Sequence, residues 1–193
     1  MSTQTIRSRV TGQTASGIFI LLLTVSFAAG TAISSEHRFS DQYVMDVDED
    51  AKKKLGDRVF NEIITFFDSA EKAIETKDLP ALMALYSDNY KDGEHDKQSA
   101  ERIWKRIFSK FDGMATHHKM ELVNVSADKK MVILSCSGLL LGVPVPEQRA
   151  ITVDNWIQQN HMLVKEGGSW KLIGSYGKDR KRLWFDKPMH PLF

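Results

Sequence analysis

Phe66 to Asp96 reads FFDSAEKAIETKDLPALMALYSDNYKDGEHD, and the change of pattern inside this stretch decides the fold. Its first part continues a run in which Val59, Phe60, Ile63, Phe67, Ala70 and Ile74 recur at spacings of three and four. That spacing puts them on one face of a long helix, which must pack on something. Asp78-Leu79-Pro80 then restarts the chain, with an acceptor for free backbone amides and a proline where no amide is needed. The short helix that follows carries Leu82, Met83, Leu85 and Tyr86 on its apolar face. Further on, Ile103, Trp104, Ile107, Phe108 and Phe111 form the stripe of a third helix, following Ser99 and closed by Gly113.

After Gly113 the hydrophobic period falls from 3.6 toward 2. Met120 to Val125, Met131 to Leu141, Ile151 to Val164 and Trp170 to Tyr176 read as consecutive antiparallel strands, separated by the turn signals ADKK and EGG. Pro144 and Pro146 break the chain between the second and third of them, because proline cannot donate to a sheet ladder. Three apolar helical faces need a sheet to cover them, and the sheet needs one buried face. The expected fold class is therefore α+β, a curved antiparallel sheet wrapped around three helices to form a cone with a pocket. Ile63, Phe67, Ile103, Ile107, Phe111, Leu122 and Ile133 are the expected core.

The flanks have a different composition. Arg7 and Arg9, the apolar run Ile18 to Ala29 and the small residues Ala28 to Ala32 follow the order of a secretory signal peptide over residues 1–32. The run is shorter than the ~20 residues of a spanning helix, so the chain is expected to meet a membrane only through this segment. Residues 33–49 are polar and read as a linker to a domain over 50–177. Residues 178–193 form a basic-aromatic tail, with Trp184, Phe185 and Phe193 expected to pack back on the domain because free exposure of large rings is costly. The expected location is outside the membrane, periplasmic or extracellular. The single cysteine, Cys136, makes no internal disulfide and sits in the apolar run MVILSCSGLLLG, where it reads as a small buried hydrophobe. The formal charge of +1 falls to −1 without the signal segment, since Arg7 and Arg9 are its only charged residues, and no field of this size recruits nucleic acid.

The quoted stretch, together with GGSWKLIGSYG at residues 167–177, resembles the nuclear transport factor 2-like superfamily. The resemblance covers residues 50–177 and rests on element order and on Leu85, Tyr86, Asp88, Tyr90, Trp170, Lys171 and Ile173. It implies a cone-shaped fold with an apolar-walled cavity, and a first strand after the short helix. It implies no single activity, because relatives include isomerases, cyclases, dehydratases and non-catalytic domains.

Candidate chemistry collects in a few places. Asp92, Glu94, His95 and Asp96 in YKDGEHD read either as an acid/base site or as a solvated loop in which Asp96 or Ser99 caps the third helix. His117 and His118 must point to opposite faces of a strand, as must Asp154 and His161 if their strand is regular. Cross-strand pairs of His118 with Asp154, or of His117 with His161, are open. Trp156 shares a regular strand face with Asp154 and Gln158, a composition that suits a pocket wall. The candidate catalytic set is thus Asp92, His95, His118 and Asp154, and the candidate ligand-binding set Tyr86, Tyr90, Trp104, Trp156 and Tyr176. No metal and no cofactor are expected, for want of HExxH, close cysteines or a glycine-rich phosphate loop. The expected partner is a small apolar molecule or a protein held in the cone. The alternatives are a cofactor-free lyase or isomerase with Tyr90 as an oxyanion donor, or a homodimer through the open sheet face. N-terminal sequencing of the mature protein should read from near Ile33; an intact Met1 in the soluble fraction excludes cleavage.

Overall fold

The computed structural model describes residues 46–47, 49–146 and 149–177. The expected signal peptide, most of the linker and the tail with Trp184 and Phe185 lie outside the described residues. The elements in chain order are β1 (Asp46–Val47), α1 (Glu49–Leu55), α2 (Asp57–Glu75), α3 (Leu79–Ala84), β2 (Tyr86–Asp92), β3 (His95–Asp96), α4 (Lys97–Phe108), β4 (Phe111–Val125), β5 (Met131–Pro144), β6 (Ile151–Glu166) and β7 (Ser169–Tyr176). One seven-stranded sheet runs in the order β1-β4-β5-β6-β7-β2-β3. The α+β expectation and the long antiparallel meander are borne out. The sheet is mixed, however, because β1 pairs parallel to β4 and β2 parallel to β7. Within the stretch read as linker, Asp46–Val47 form β1 and Glu49 begins α1, a helix not expected from sequence.

The helices follow their local signals, with shifted ends. Gly56, at φ 78, separates α1 from α2, and α2 buries Val59, Ile63, Phe66, Phe67, Ala70, Ala73 and Ile74. Asp78 caps α3 by accepting from the Ala81 amide at 2.9 Å. That helix ends at Ala84, so Tyr86 belongs to a strand and not to the helical face assigned to it. Asp96 caps α4 through the Ser99 amide at 2.9 Å, which starts the helix two residues before Ser99. The chain turns at Ser109 and Lys110, and Gly113 lies inside β4 and not at a helix end. β4 is 15 residues long; its first half, FDGMATHHK, is too polar and too poor in β-branched residues to read as a strand.

The core lies between the helices and one face of the sheet. Register fixes that face, since directly opposed residues share a side. On β4 it carries Met114, Thr116, His118 and Met120, opposite Gly142, Leu140, Gly138 and Cys136 of β5. Ile63, Phe67, Ile107 and Phe111 are buried as expected. Ile103 and Leu122 are only partly buried. Ile133 is also partly exposed, because the inward residues of β5 are its neighbours Val132 and Leu134. Each large apolar side chain buried here contributes about 1.5–3 kcal/mol.

Two glycines on the inward side of β5 make room for rings. A Cβ at Gly138 would stand 2.7 Å from the Trp156 indole and against the carbonyl of His117, and one at Gly142 would stand 2.5 Å from the Phe111 ring. Gly138→Ala should therefore lower unfolding stability by about 1–3 kcal/mol, whereas Val123→Ala, at an exposed site, should stay within about 0.5 kcal/mol. Denaturant midpoints of the two variants check this; equal shifts exclude the close approach.

Candidate functional site

The buried face of β4, β5 and β6 is not dry. Two irregularities in β6 decide which of its side chains look inward. An extra residue at Val153 falls between the pairs Leu140↔Asp154 and Leu141↔Thr152, and another falls between Gly138↔Trp156 and Cys136↔Gln159. Gln158 takes up the second bulge at φ 50, and its amide donates to Ser137 Oγ at 2.9 Å. Asp154 and Trp156 therefore share the inward side, as expected from sequence. Gln158 does not; Gln159 replaces it and is 4% exposed. His161 also turns inward, opposite the buried Leu134, so that Asp154 and His161 share a face despite their odd spacing.

Trp156, Cys136 and His118 form the centre of this face. Trp156 Nε1 donates to Cys136 Sγ at 3.1 Å, and His118 Nδ1 lies 3.4 Å from the same sulfur. The His118 and Trp156 ring centroids are 5.3 Å apart. Burial pushes the Cys136 thiol up to about 12, against the smaller opposing effect of the Trp156 N–H. Burial also lowers His118 to about 3, helped by His161 and His117. A protonated thiol thus meets a neutral imidazole, and Cys136 is no nucleophile. No carboxylate is among the groups that act on His118. His118 and Asp154 are not a cross-strand pair, since His118 opposes Gly138 and Asp154 opposes Leu140. Nor are His117 and His161, because His161 is buried inward while His117 is on the other side, opposite Leu139. Phe67 of α2 instead covers both inward imidazoles, with ring centroids 5.9 Å from His118 and 6.3 Å from His161.

The remaining candidates sit on β2, β3 and α4. Asp92 and His95 oppose each other across the β2–β3 pair and are 1% and 7% exposed, so neither lies on an open loop. Tyr86 and Tyr90 meet edge-on at 4.9 Å. Both phenols are raised, chiefly by burial, and Asp92 adds to the shift of each. Trp104 Nε1 donates to Tyr86 Oη at 2.9 Å, which makes these two a satisfied core pair. His161 Nδ1 lies 3.2 Å from Ser175 Oγ, and Ser175 stands beside Tyr90, so polar groups continue from β6 to β2. Tyr176 is 41% exposed and opposes Asn160, away from this set. Thr116, Gln159, His161 and Ser175 belong to the face and were absent from the candidate set. A bulge has no signature in the alternation of polar and apolar residues, so the register of Gln159 and His161 was hidden.

A second feature runs along α2 against the β6–β7 turn. It is an open groove of about 580 Å³ lined by Phe66, Leu85 and Trp170 with Arg58 at its border. Glu62 in its wall accepts from Lys165 Nζ at 2.6 Å and from Trp170 Nε1 at 2.9 Å. Those two bonds hold its carboxyl below the usual range. The groove shares no lining residue with the inward face. Among the described residues, no group of three or more His, Cys, Asp and Glu is placed to hold a metal ion.

No protein-family model matches the chain, and no curated protein matches its sequence. Solved structures do match its shape. A provisionally named scytalone dehydratase from Novosphingobium aromaticivorans superposes with a TM-score of 0.52 at 13% identity, over 64% of this chain and 85% of that one. Aln2 from a Streptomyces species gives 0.50 at 12% identity, over 62% and 89%. The fold is that of the nuclear transport factor 2-like superfamily. Bd1075 from Bdellovibrio bacteriovorus matches at 15% identity and a TM-score of 0.49, and this chain covers only 38% of its length.

Within the nuclear transport factor 2-like cone, the lowered His118 has a measurable consequence. Its folded value of about 3 lies below its ordinary 6.5, so below pH 6.5 the unfolded chain binds the proton more readily. The stability due to neutral His118 is complete above pH 6.5 and is lost as the pH falls toward 3, by an amount on the order of a few kcal/mol. Glu71 acts oppositely: burial first, then Asp68 and Glu75, raise it to about 7, so its contribution falls as pH rises from 4.5 to 7. The difference in unfolding free energy between wild type and His118→Gln, followed from pH 7 to 4, should shrink steadily; a constant difference excludes a neutral buried imidazole.

Proposed function

We propose that this chain is an exported domain that binds a small, largely apolar ligand in its cone. The observation that carries the reading is the group of Trp156, His118 and Cys136, a buried aromatic surface next to polar atoms that stay uncharged. Such a wall suits recognition by shape and by a few hydrogen bonds. His118 supports binding better than proton transfer, because an imidazole that resists protonation is a weak general base at neutral pH. A neutral, environment-sensitive naphthalene dye tests it: the wild-type chain should bind the dye, and Trp156→Ala should weaken binding by about tenfold or more. An unchanged affinity removes the pocket.

A second reading is a cofactor-free lyase or isomerase. Its support is the buried Asp92–His95 pair beside Tyr90, together with the name carried by the Novosphingobium aromaticivorans neighbour. Under this reading, elimination of water from a hydroxylated ring is catalysed by the wild type and lost in Asp92→Asn, with the fold intact by circular dichroism.

The third is a protein partner or a second copy of the chain on the outer sheet face. Ile157 is 75% exposed there and Tyr176 41%. Light scattering of the mature chain separates monomer from dimer, and Ile157→Lys should abolish a dimer that uses this face.

A further inference from the structure

β4 is 15 residues long and lies one place from the margin of the sheet. Among the described residues, the strand on its outer side is β1, which meets it at two pairs, Asp46↔Lys119 and Val47↔Met120. A strand in that position offers a row of backbone donors and acceptors to further chain, and native sheets cover such rows.

Burial along β4 marks the part that is covered. Successive side chains point to opposite faces, so neighbours are buried together only where both faces have cover. Met114, Ala115 and Thr116 are 2%, 2% and 4% exposed. Past the β1 pairs this stops: Glu121 and Asn124 are exposed, Leu122 is partly buried and Val123 is 53% exposed. The covered half of β4 is the half before Lys119, and a parallel pairing sends the residues before Asp46 along that half.

Register then fixes each partner. Counting back from Asp46↔Lys119, Met45 falls opposite His118, Val44 opposite His117, Tyr43 opposite Thr116, Gln42 opposite Ala115 and Asp41 opposite Met114. Opposed residues share a side, so Tyr43 and Met45 go to the inward face and the more polar Gln42 to the outer one. β4 keeps an unbroken register with β5 from Gly113 to Leu122 and shifts just before Gly113, so a straight partner strand reaches back to Asp41. The sequence DQYVM has neither Gly nor Pro, and its Tyr and Val suit a pleated strand. Asp46 is already seated on β4. Each added residue of the same chain therefore costs only its own ordering, whereas a strand from another molecule must also give up its free motion.

We infer that the outer edge of β4 is a strand-addition site and that residues 41–45 of the same chain occupy it, extending β1 in parallel to a strand over 41–47. A stretch that reads as linker from its polarity is then part of the sheet, and displacing it opens β4 to a strand of another molecule. The inference is independent of what the cone binds.

Hydrogen exchange of the purified wild-type chain, resolved by residue, tests it. Every second amide in 41–45 should exchange more slowly than in an unstructured chain by about a hundredfold or more, because alternate amides of an edge strand face its partner. Uniformly fast exchange across 41–45 overturns the inference. Paired cysteines test the register, with the buried Cys136 left in place. Val44→Cys with His117→Cys should oxidise to a disulfide within one chain, since opposed strands lie about 5 Å apart. Val44→Cys with Ala115→Cys, a diagonal pair about 7–8 Å apart, should not. A disulfide in the diagonal pair, or in neither pair of folded variants, overturns the register. One that joins two chains, at twice the mass on a denaturing gel, overturns occupancy by the same chain. Should the cysteine variants fail to fold, exchange of the wild type decides alone.

Discussion

Trp156 packs against the backbone of β5 at a residue that has no Cβ, and the rest of the inward face is arranged around that contact. With any side chain at position 138 the indole would collide with it, and the carbonyl of His117 would be struck as well. Once the ring is there, its N–H reaches Cys136 and its side covers His118. The bulge immediately after Trp156 then resets the alternation of β6, turning Gln159 and His161 inward. A regular strand would have buried Gln158 and exposed His161. One glycine and one inserted residue thus decide which polar groups the cone contains.

The electrostatic state of the face follows from its depth. Phe67 of α2 covers both inward histidines, and ions under such a cover would lose their hydration without a charged partner. Imidazole and thiol both escape this cost by taking their neutral forms, which explains why His118 is lowered and Cys136 raised by the same burial. The result is a polar interior without net charge. Glu62, at the groove on α2, behaves differently because Lys165 and Trp170 both donate to its carboxylate. Its charge is kept where a partner exists, and on the inward face none is supplied to His118.

Similarity of shape at 13% identity establishes the fold and leaves the chemistry to the residues themselves. Here the carboxylates are separated from the central imidazole: Asp92 lies with His95 and the tyrosines on β2 and β3, and Asp154 lies in the row of Leu140. Among the described residues, Ser175 links the two polar regions, between His161 and Tyr90. That separation is why a binding reading is preferred to one built on a histidine–carboxylate couple.

The amino-acid sequence by itself determined the layers of this protein. Apolar periodicity marked α2, the Asp78-Leu79-Pro80 restart marked α3, and alternation marked most of β5, β6 and β7, because these signals act between residues close in the chain. It also placed Trp156 with Asp154 and separated His117 from His118, since those relations need only the pleat of one strand. Tertiary structure decided the rest. The polar first half of β4 is a strand because β5 pairs along it, and β2 joins β7 in parallel through contacts remote in sequence. Asp92 and His95 are buried, against the reading of this stretch as a solvated loop, because β3 folds back on β2 beneath α4. The burial of Gln159 and His161 required a bulge, whose position depends on how β5 and β6 fit together around the Trp156 ring, a cross-strand packing constraint that no pattern within one strand carries.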